Sequence, residues 1–174
     1  MAKTLVLSLL LSLALFSRSG SYASTEKEKT LAMIKPDGLN YTGYIKRVID
    51  ESGFSILKAT MVQLDESNAA LFYAEHSERT FFPSLVKYIT SGPVSVMVLE
   101  KVNAIADWRA LIGPTDAKKA KITHPHSIRA ICGMDTERNC VHGSDSVQSA
   151  LREISFFFEE MVSNEGRDLN HDEL

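Results

Sequence analysis

The segment from Asn139 to Ser146, NCVHGSDS, places a histidine just before a predicted helix. Neutral imidazole is a nucleophile, and the ordinary histidine pKa of about 6.5 makes that form abundant at neutral pH. We expect Gly143 to supply the backbone freedom that a sharp turn after His142 requires. A single histidine is more often a surface or hydrogen-bonded core residue, so the surrounding residues must decide whether His142 reacts.

The residues after this turn have the pattern of an amphipathic helix. Apolar side chains recur at the spacing of one helix face, which predicts a helix packed on a core. Asp145 is the predicted N-cap, and Gln148 three residues later suggests a capping box. The predicted apolar face consists of Val147, Ala150, Leu151, Ile154, Phe157 and Phe158.

The first 23 residues have the organisation of a secretory signal peptide. Lys3 forms a short positive segment, an apolar run follows from Leu5 to Phe16, and small residues precede a cleavage site expected after Ala23. The run is too short to span a bilayer, although an uncleaved membrane anchor is the alternative. We expect no membrane span after cleavage.

The chain ends in His171-Asp172-Glu173-Leu174, or HDEL, an address that a retrieval receptor of the endoplasmic reticulum reads. Together with a signal peptide, it predicts residence in the lumen of the endoplasmic reticulum. The predicted organisation is a signal peptide at 1–23, one folded domain at 24–162 and a polar tail at 163–174.

Size and charge narrow the functional class. Removing 23 of 174 residues leaves 151, enough for one domain with a substantial core. The signal carries Lys3 and Arg18, so 19 − 2 = 17 basic residues face 22 acidic ones, a net charge of −5. This balance argues against sequence-independent binding of nucleic acid, which relies on a basic surface.

The chain has two cysteines, and their spacing matches no zinc motif. In an oxidising lumen Cys132 and Cys140 could pair and clamp the segment before His142. The favoured alternative is two small buried residues with free thiols. Asn40 begins the sequence Asn-Tyr-Thr, which predicts a glycan acceptor on a surface turn.

The order of predicted elements indicates the fold class. Strands alternate with helices, and the long segment from Gly113 to about Ser127 is predicted to be a functional loop. The order predicts an α+β fold, a ferredoxin-like βαββαβ antiparallel four-stranded sheet covered by helices. The other predicted elements are a strand at Thr30–Ile34, a turn at Lys35–Gly38, a helix at Tyr44–Ile49, a strand at Phe54–Leu64, helices at Asp65–Glu75 and Phe82–Ile89, a strand at Val94–Leu99, a helix capped by Asn103 and running to about Ile112, a short strand at Cys140–His142 and the helix after Asp145.

Four segments in the same order resemble the nucleoside diphosphate kinase family. They are TLAMIKPDG from Thr30, RTFFPSLVKYITSGPV from Arg79, LIGPT from Leu111 and NCVHGSDS, which matches the family's active-site signature residue by residue. The resemblance extends from about Thr30 to Phe158. It implies a ping-pong reaction in which His142 takes the γ-phosphate of a nucleoside triphosphate and passes it to a nucleoside diphosphate.

The same resemblance implies roles for other residues. Glu153 would accept a hydrogen bond from the second ring nitrogen of His142, and Tyr73 would lie close to that histidine. Phe81 would stack on the base, which suits low base selectivity because every base has a π-face. The implied catalytic residues are His142, Glu153, Lys35 and Tyr73. The implied nucleotide-binding residues are Lys35, Phe81, Arg109, Thr115, Arg129 and Asn139.

The resemblance also implies that Mg²⁺ arrives with the nucleotide, bridging phosphates, since the sequence offers no carboxylate cluster for a protein-held metal. A homo-oligomer is one expectation from the resemblance, but the segment after Phe158 differs from the tail that braces hexamers in many members, which leaves the oligomeric state open.

Two segments depart from the family pattern. The one from Leu39 to Thr42 is shorter than in typical members, and the one between Thr115 and Arg129 is longer, as in a divergent branch of the family. The longer segment belongs to the nucleotide-binding loop, where a displacement of about 1 Å can cost on the order of 100-fold in rate. The alternative hypothesis is therefore a catalytically weak or inactive nucleotide-binding or interaction module of the same fold.

Overall fold

The computed structural model describes residues 26–160 of the 174-residue chain. The predicted signal peptide at 1–23 and the HDEL sequence lie outside the described residues. Two 3₁₀ segments, Pro36–Tyr41 and Ala74–His76, connect regular elements. The strands and helices are β1 (Lys27–Ile34), α1 (Thr42–Glu51), β2 (Ser55–Val62), α2 (Glu66–Phe72), α3 (Phe82–Ile89), β3 (Val94–Val102), α4 (Ala104–Ile112), α5 (Ala117–Thr123), α6 (Ile128–Cys132), β4 (Val141–Gly143) and α7 (Val147–Ser155), which continues as a π-helical turn at Phe156–Glu160.

Within residues 26–160, four strands form one antiparallel sheet in the order β2-β3-β1-β4. β1 pairs with β3 along its whole length, from Lys27 opposite Val102 to Ile34 opposite Ser95. β4 pairs with the end of β1, where His142 lies opposite Met33. The predicted ferredoxin-like βαββαβ fold is confirmed.

The central strand β1 separates two hydrophobic cores. Successive side chains of a strand point to opposite faces, so Leu31 and Met33 enter one core while Ala32 and Ile34 enter the other. All four are fully buried. Helices α1 and α4 contribute to the core of Ala32, and α2, α3 and the π-helical turn contribute to the core of Leu31. The end of β1 and its neighbour β4 are thus held rigidly from both sides.

The N-terminus of α7 differs from the prediction. Ser146 is the N-cap: its Oγ accepts from the Ser149 backbone N–H at 3.1 Å, and Ser149 Oγ accepts from the Ser146 N–H at 2.9 Å. The predicted box of Asp145 and Gln148 is therefore wrong by one residue. The extended backbone of Ser146 makes it the cap, while Asp145 accepts a hydrogen bond from Ser149 Oγ at 2.8 Å.

The predicted apolar face of α7 is only partly correct. Ala150 and Phe157 are buried, but Val147 and Leu151 are 58% and 67% exposed. A carboxylate occupies the inner face instead, because Glu153 is only 2% exposed. The helix is rotated so that its acid, and not its leucine, faces the sheet.

The predicted loop from Gly113 to Ser127 contains a helix. Asp116 caps α5 by accepting a hydrogen bond from the Lys118 N–H at 2.9 Å, and Ala117 and Ala120 are fully buried. The prediction failed because this helix buries only alanines, whose spacing gives a weak apolar pattern. The turn predicted at Lys35–Gly38 is likewise the start of a 3₁₀ segment.

Asn103 precedes α4 as predicted, but its side chain makes no capping hydrogen bond and its backbone is left-handed, with φ 58°. The Glu28 carboxylate accepts instead from the Ile105 N–H at 3.0 Å. A strand residue distant in sequence thus replaces the local cap. Across residues 26–160, none of the helices combines the length and apolar character needed to cross a bilayer.

Candidate active site

His142 lies on β4 with one ring nitrogen bound by a buried acid. Its Nε2 is 2.9 Å from Oε2 of Glu153 on α7. The His142 side chain is 21% exposed and that of Glu153 only 3%. A proton on Nε2 satisfies the acid and leaves the Nδ1 lone pair available, so this contact fixes the tautomer that a nucleophile needs.

A serine inside the NCVHGSDS motif orients the acid. Ser144 Oγ accepts from the Leu31 N–H at 3.1 Å and donates to Glu153 Oε2 at 2.7 Å. Burial alone would raise the pKa of Glu153, but the charge of His142 and hydrogen bonds from His142 and Ser144 lower it. Glu153 therefore remains an anion that stabilises positive charge on the imidazole.

The backbone beside His142 is supported by Trp108 of α4. The indole Nε1–H donates to the His142 carbonyl oxygen at 3.2 Å. Gly143 has no positive φ, contrary to prediction, but a Cβ built on it would overlap the Trp108 ring. The glycine is required because it leaves room for tryptophan. Positive φ occurs instead at Cys140, at 67°.

Lys35 and Asn139 meet directly at the end of β1. Lys35 Nζ donates to Asn139 Oδ1 at 2.8 Å and to the Glu137 carbonyl oxygen at 3.2 Å. Asn139 Nδ2 donates to the carbonyl oxygens of Thr115 and Thr136, each at 2.9 Å. Burial, with repulsion from Arg129, lowers the pKa of Lys35 to about 8.

Arg129 is a buried cation fixed by the backbone. Its Nη1 donates to the Gly113 carbonyl oxygen at 2.7 Å, and its Nη2 donates to the Val141 carbonyl oxygen at 3.0 Å, next to His142. Burial and the neighbouring Arg109 lower its pKa to about 10. Its buried Nε has no partner among the described residues. The pKa of Asp145 is lowered mainly by its hydrogen bond from Ser149, and the charge of Arg109 lowers it further. Arg129 therefore places positive charge beside the backbone of His142, and Arg109 adds positive charge beside Arg129.

A row of rings extends outward from His142. The Tyr73 ring is 6.4 Å from the imidazole, edge to face, and 6.3 Å from the ring of His76, which it meets stacked. Phe81 is 5.8 Å beyond His76 and 44% exposed. The Tyr73 hydroxyl is buried without a hydrogen-bond partner among the described residues, and burial, with repulsion from Glu153, raises its pKa.

Thr115 contacts the other predicted site residues through its backbone and not through its side chain. Its side chain is exposed, and it joins the group through its carbonyl oxygen, which accepts from Asn139. Arg109 is also exposed and lines a concavity of about 270 Å³ with Gly113, Pro114 and His124. A separate concavity of about 590 Å³ lies beside Asp37, Tyr88 and Glu137 and does not include His142.

Comparisons with known proteins identify the family of this chain. The nucleoside diphosphate kinase family model matches residues 28–162. A probable nucleoside diphosphate kinase 5 of Arabidopsis thaliana is 62% identical over 144 residues, which cover 82% of this chain and 100% of that protein. The chain belongs to the nucleoside diphosphate kinase family.

Solved structures of nucleoside diphosphate kinases share the fold. The enzyme of Aquifex aeolicus superposes with a TM-score of 0.76 at 40% identity, covering 78% of this chain and 98% of that one. A halophilic nucleoside diphosphate kinase from Halobacterium salinarum, solved in complex with CDP, superposes with a TM-score of 0.72 at 37% identity and covers 78% and 90%.

A disulfide joins two site-bearing elements in this member of the nucleoside diphosphate kinase family. Cys132 on α6 and Cys140 before β4 are bonded, with their Cα atoms 6.1 Å apart. The favoured prediction of free thiols is wrong, because the positive φ of Cys140 and the end of α6 bring the two residues within bonding range. Arg129 lies one turn before Cys132, and Asn139 precedes Cys140.

Sequence reasoning missed Ser144 and Trp108 as supports of this nucleoside diphosphate kinase site. Ser144 lies within the quoted motif, so its polarity beside the predicted nucleophile was a usable signal. Trp108 precedes the predicted phosphate ligand Arg109, but only the fold reveals that it contacts the His142 carbonyl. Asp37 was also missed: it accepts hydrogen bonds from the Tyr88 hydroxyl and, at 3.1 Å, from the Cys140 N–H.

Proposed function

We propose that the protein is a nucleoside diphosphate kinase that transfers the γ-phosphate of a nucleoside triphosphate to a nucleoside diphosphate through a phosphohistidine at His142. The observation that carries this proposal is the hydrogen bond of 2.9 Å between His142 Nε2 and the buried carboxylate of Glu153. It leaves Nδ1 as the nucleophilic nitrogen and provides a counter-charge for the phosphorylated ring.

In the first half-reaction, the lone pair of His142 Nδ1 attacks the γ-phosphorus, and an N–P bond forms. The bond between that phosphorus and the β,γ-bridging oxygen breaks, and the bonding electrons leave with the nucleoside diphosphate. Glu153 stabilises the positive charge that develops on the ring, because a fixed anion needs no reorganisation during reaction. The second half-reaction reverses these bond changes with another diphosphate as acceptor.

Binding of the phosphates is assigned to the cations and donors beside the histidine. Phosphoryl transfer is mainly positioning plus neutralisation of charge on oxygens. Lys35 and Arg129 are buried and backbone-anchored, so they present preset donors, whereas the exposed Arg109 and Thr115 can close on the nucleotide. Asn139, bound to Lys35, is assigned to the sugar and phosphate.

Phe81 is assigned to base stacking. Its ring is 44% exposed at the outer end of the ring row and lies under the Arg79 guanidinium, 5.9 Å from the ring centroid. Stacking on an exposed phenylalanine tolerates any base. The presence of CDP in the Halobacterium relative supports use of a pyrimidine nucleotide.

Mg²⁺ is proposed to bind through the nucleotide. Within residues 26–160 no group of three metal-ligating side chains is found. The carboxylate nearest to His142 already accepts from His142 and Ser144, so the donor set fits an ion carried by phosphate oxygens better than a protein-held one. When bound, the ion supplies neutralisation of phosphate charge.

A homo-oligomer assembled through β2 is proposed. This strand forms one edge of the sheet, and three of its apolar side chains, Ile56, Leu57 and Met61, are 41% to 56% exposed. An unpaired edge with exposed apolar residues is a template for pairing. Sedimentation of wild type and Met61→Lys tests this: the substitution should release smaller species.

Residence in the lumen of the endoplasmic reticulum rests on the sequence, with residues 1–23 as a cleaved signal, 24–162 as the domain and HDEL as the retrieval address. The test is a fractionation of cells producing wild type or a chain lacking 171–174. The deletion should convert a retained protein into a secreted one. Cytosolic protein with an intact N-terminus contradicts the proposal.

The kinase proposal is tested by measuring the initial rate of GTP formation by purified protein in the presence of Mg²⁺. The concentrations of the two substrates, ATP and GDP, are varied. A ping-pong reaction gives parallel lines in double-reciprocal plots, since the two nucleotides never occupy the site together. Intersecting lines contradict the phosphohistidine route. Nucleotide binding without GTP formation favours the alternative of a catalytically inactive module with a remodelled, longer nucleotide loop.

A further inference from the structure

The longer loop contributes an imidazole to a concavity that it shares with Arg109. This concavity of about 270 Å³ is lined by Arg109 and Ala110 of α4, by Gly113 and Pro114, and by His124. His124 is the C-cap of α5, the helix within the longer loop. Two nitrogen-bearing side chains from separate elements thus converge on one space.

The orientation of His124 is fixed by its own neighbours. Its backbone N–H donates to the Ala120 carbonyl oxygen at 2.8 Å, and its backbone carbonyl oxygen accepts from the Ser127 backbone N–H at 2.9 Å. Its Nδ1 is 2.8 Å from the Thr123 hydroxyl. Because Nδ1 is engaged, Nε2 is the nitrogen left to meet a ligand. The Thr123 hydroxyl donates its proton to the Lys119 carbonyl oxygen at 3.0 Å, so it accepts from Nδ1–H of His124, and Nε2 presents an N–H in the imidazolium form.

The chemistry of this concavity favours an anion. Arg109 is permanently charged, and the exposed side chains of Lys118, Lys119 and Lys121 on α5 add positive charge nearby. The two acidic side chains close to these groups already accept hydrogen bonds within the protein: Asp116 accepts from the Lys118 backbone N–H, and Asp145 accepts from the Ser149 hydroxyl. An arginine fork and an N–H donor across a small cleft match phosphate oxygens.

We propose that His124 is a nucleotide-binding residue, whose Nε2–H and the Arg109 guanidinium together hold the phosphates of a nucleoside di- or triphosphate. This inference rests on the proposed function, because it places the ligand at the phosphate end of that same site. The longer loop then strengthens nucleotide binding instead of obstructing it. His124 acts in binding and takes no part in the bond changes at His142.

The test is the affinity of purified protein for ADP, measured by calorimetry. ADP donates no γ-phosphate, so binding is observed without turnover. A charge-assisted hydrogen bond is worth about tenfold in affinity, so His124→Ala should weaken ADP binding about tenfold. His124→Gln keeps an N–H donor and should recover much of the loss, whereas His124→Glu should weaken binding further by repulsion.

His126→Ala is the matched control, because His126 is an exposed histidine of the same loop that does not line the concavity. It should bind ADP within twofold of wild type. Thermal unfolding verifies that each variant is folded. If His124→Ala is unstable, the difference in ADP affinity between His124→Glu and His124→Gln tests the inference instead.

Unchanged ADP affinity in folded His124→Ala overturns the inference, as does an equal loss in His126→Ala. Wild-type protein that binds ADP but forms no phosphoenzyme overturns the kinase proposal alone. Wild-type protein that binds no ADP overturns both.

Discussion

The carboxylate of Glu153 lies 2.9 Å from His142 Nε2, and the two residues come from different elements, α7 and β4. Ser144 Oγ holds the same carboxylate oxygen at 2.7 Å and is itself held by the Leu31 N–H. The nucleophile is therefore oriented by a chain of hydrogen bonds that ends on the central strand of the sheet.

Replacing Glu153 with glutamine should slow phosphorylation of His142 by about 10- to 100-fold, because a neutral amide loses the charge-assisted hydrogen bond. Rapid quenching of a single turnover with ATP measures the rate. The dissociation constant for ADP should stay within twofold of wild type, since Glu153 is not assigned to the nucleotide. A full phosphorylation rate in folded Glu153→Gln contradicts the role given to the acid.

Gly143→Ala should lower the free energy of unfolding by about 1–3 kcal/mol, the usual cost of overpacking a core. The new Cβ would overlap the Trp108 indole and approach Ile112 Cδ1 to 3.3 Å. Gly43→Ala is the matched control, since Gly43 is an exposed residue of α1 and a Cβ added to it would have no other atom within 4 Å among the described residues. Urea unfolding should show the control neutral or stabilised by about 0.5–1 kcal/mol. Equal stability of the two variants contradicts the packing account.

ADP binding should weaken above pH 8, because the Lys35 pKa of about 8 makes the free site lose its ammonium there. A bound phosphate favours the charged lysine, so binding takes up a proton and the affinity falls by up to about tenfold per pH unit. Calorimetry at pH 7, 8 and 9 in two buffers of different ionisation enthalpy measures both effects. An affinity that is constant from pH 7 to 9 contradicts this prediction.

The lowered pKa of Lys35 also makes the stability of the fold depend on pH. Between pH 8 and the ordinary lysine pKa of 10.5, the unfolded chain binds more protons at Lys35 than the folded protein. The contribution of Lys35 to the free energy of unfolding therefore rises with pH over that window. Lys35→Met should remove this part of the pH dependence.

Reduction of the bond between Cys132 and Cys140 should lower the free energy of unfolding by about 2–3 kcal/mol, as expected for a short closed loop. Cys132→Ser with Cys140→Ser should match the reduced wild type. ADP affinity should fall in both, because α6 carries Arg129. Thiol titration in denaturant is the direct check: protein from an oxidising compartment should show no reactive thiol before reduction. Two reactive thiols contradict the bond.

The architecture could be predicted because β1, β3 and the helices between them have strong local patterns. The second half of β1, Leu31–Ile34, is a continuous apolar run because both of its faces are buried, and proline and glycine follow it after Lys35. The polar first half, Lys27–Lys29, lay outside the predicted strand because it lacks an apolar pattern. The α5 helix could not be predicted in the same way, because Ala117 and Ala120 bury too little surface to create a clear apolar face.

Some features of the site could likewise be predicted from the sequence, and others could not. The motif and the family resemblance placed His142, Lys35 and Asn139 in one group, and the contact between Lys35 and Asn139 is direct at 2.8 Å. The inward face of α7 was misjudged, because an apolar pattern ranks Leu151 above Glu153. A buried carboxylate is stable there only through His142 and Ser144, partners that a helix pattern cannot reveal.

The most direct measurement is the trapping of a phosphorylated protein. Incubation with ATP labelled at the γ-phosphate and with Mg²⁺ should give an acid-labile, base-stable phosphoprotein in wild type and in His126→Ala, and none in His142→Ala. Addition of GDP should discharge the label into GTP. Folded wild-type protein that takes up no label, or His142→Ala that takes up as much as wild type, would contradict the phosphohistidine mechanism.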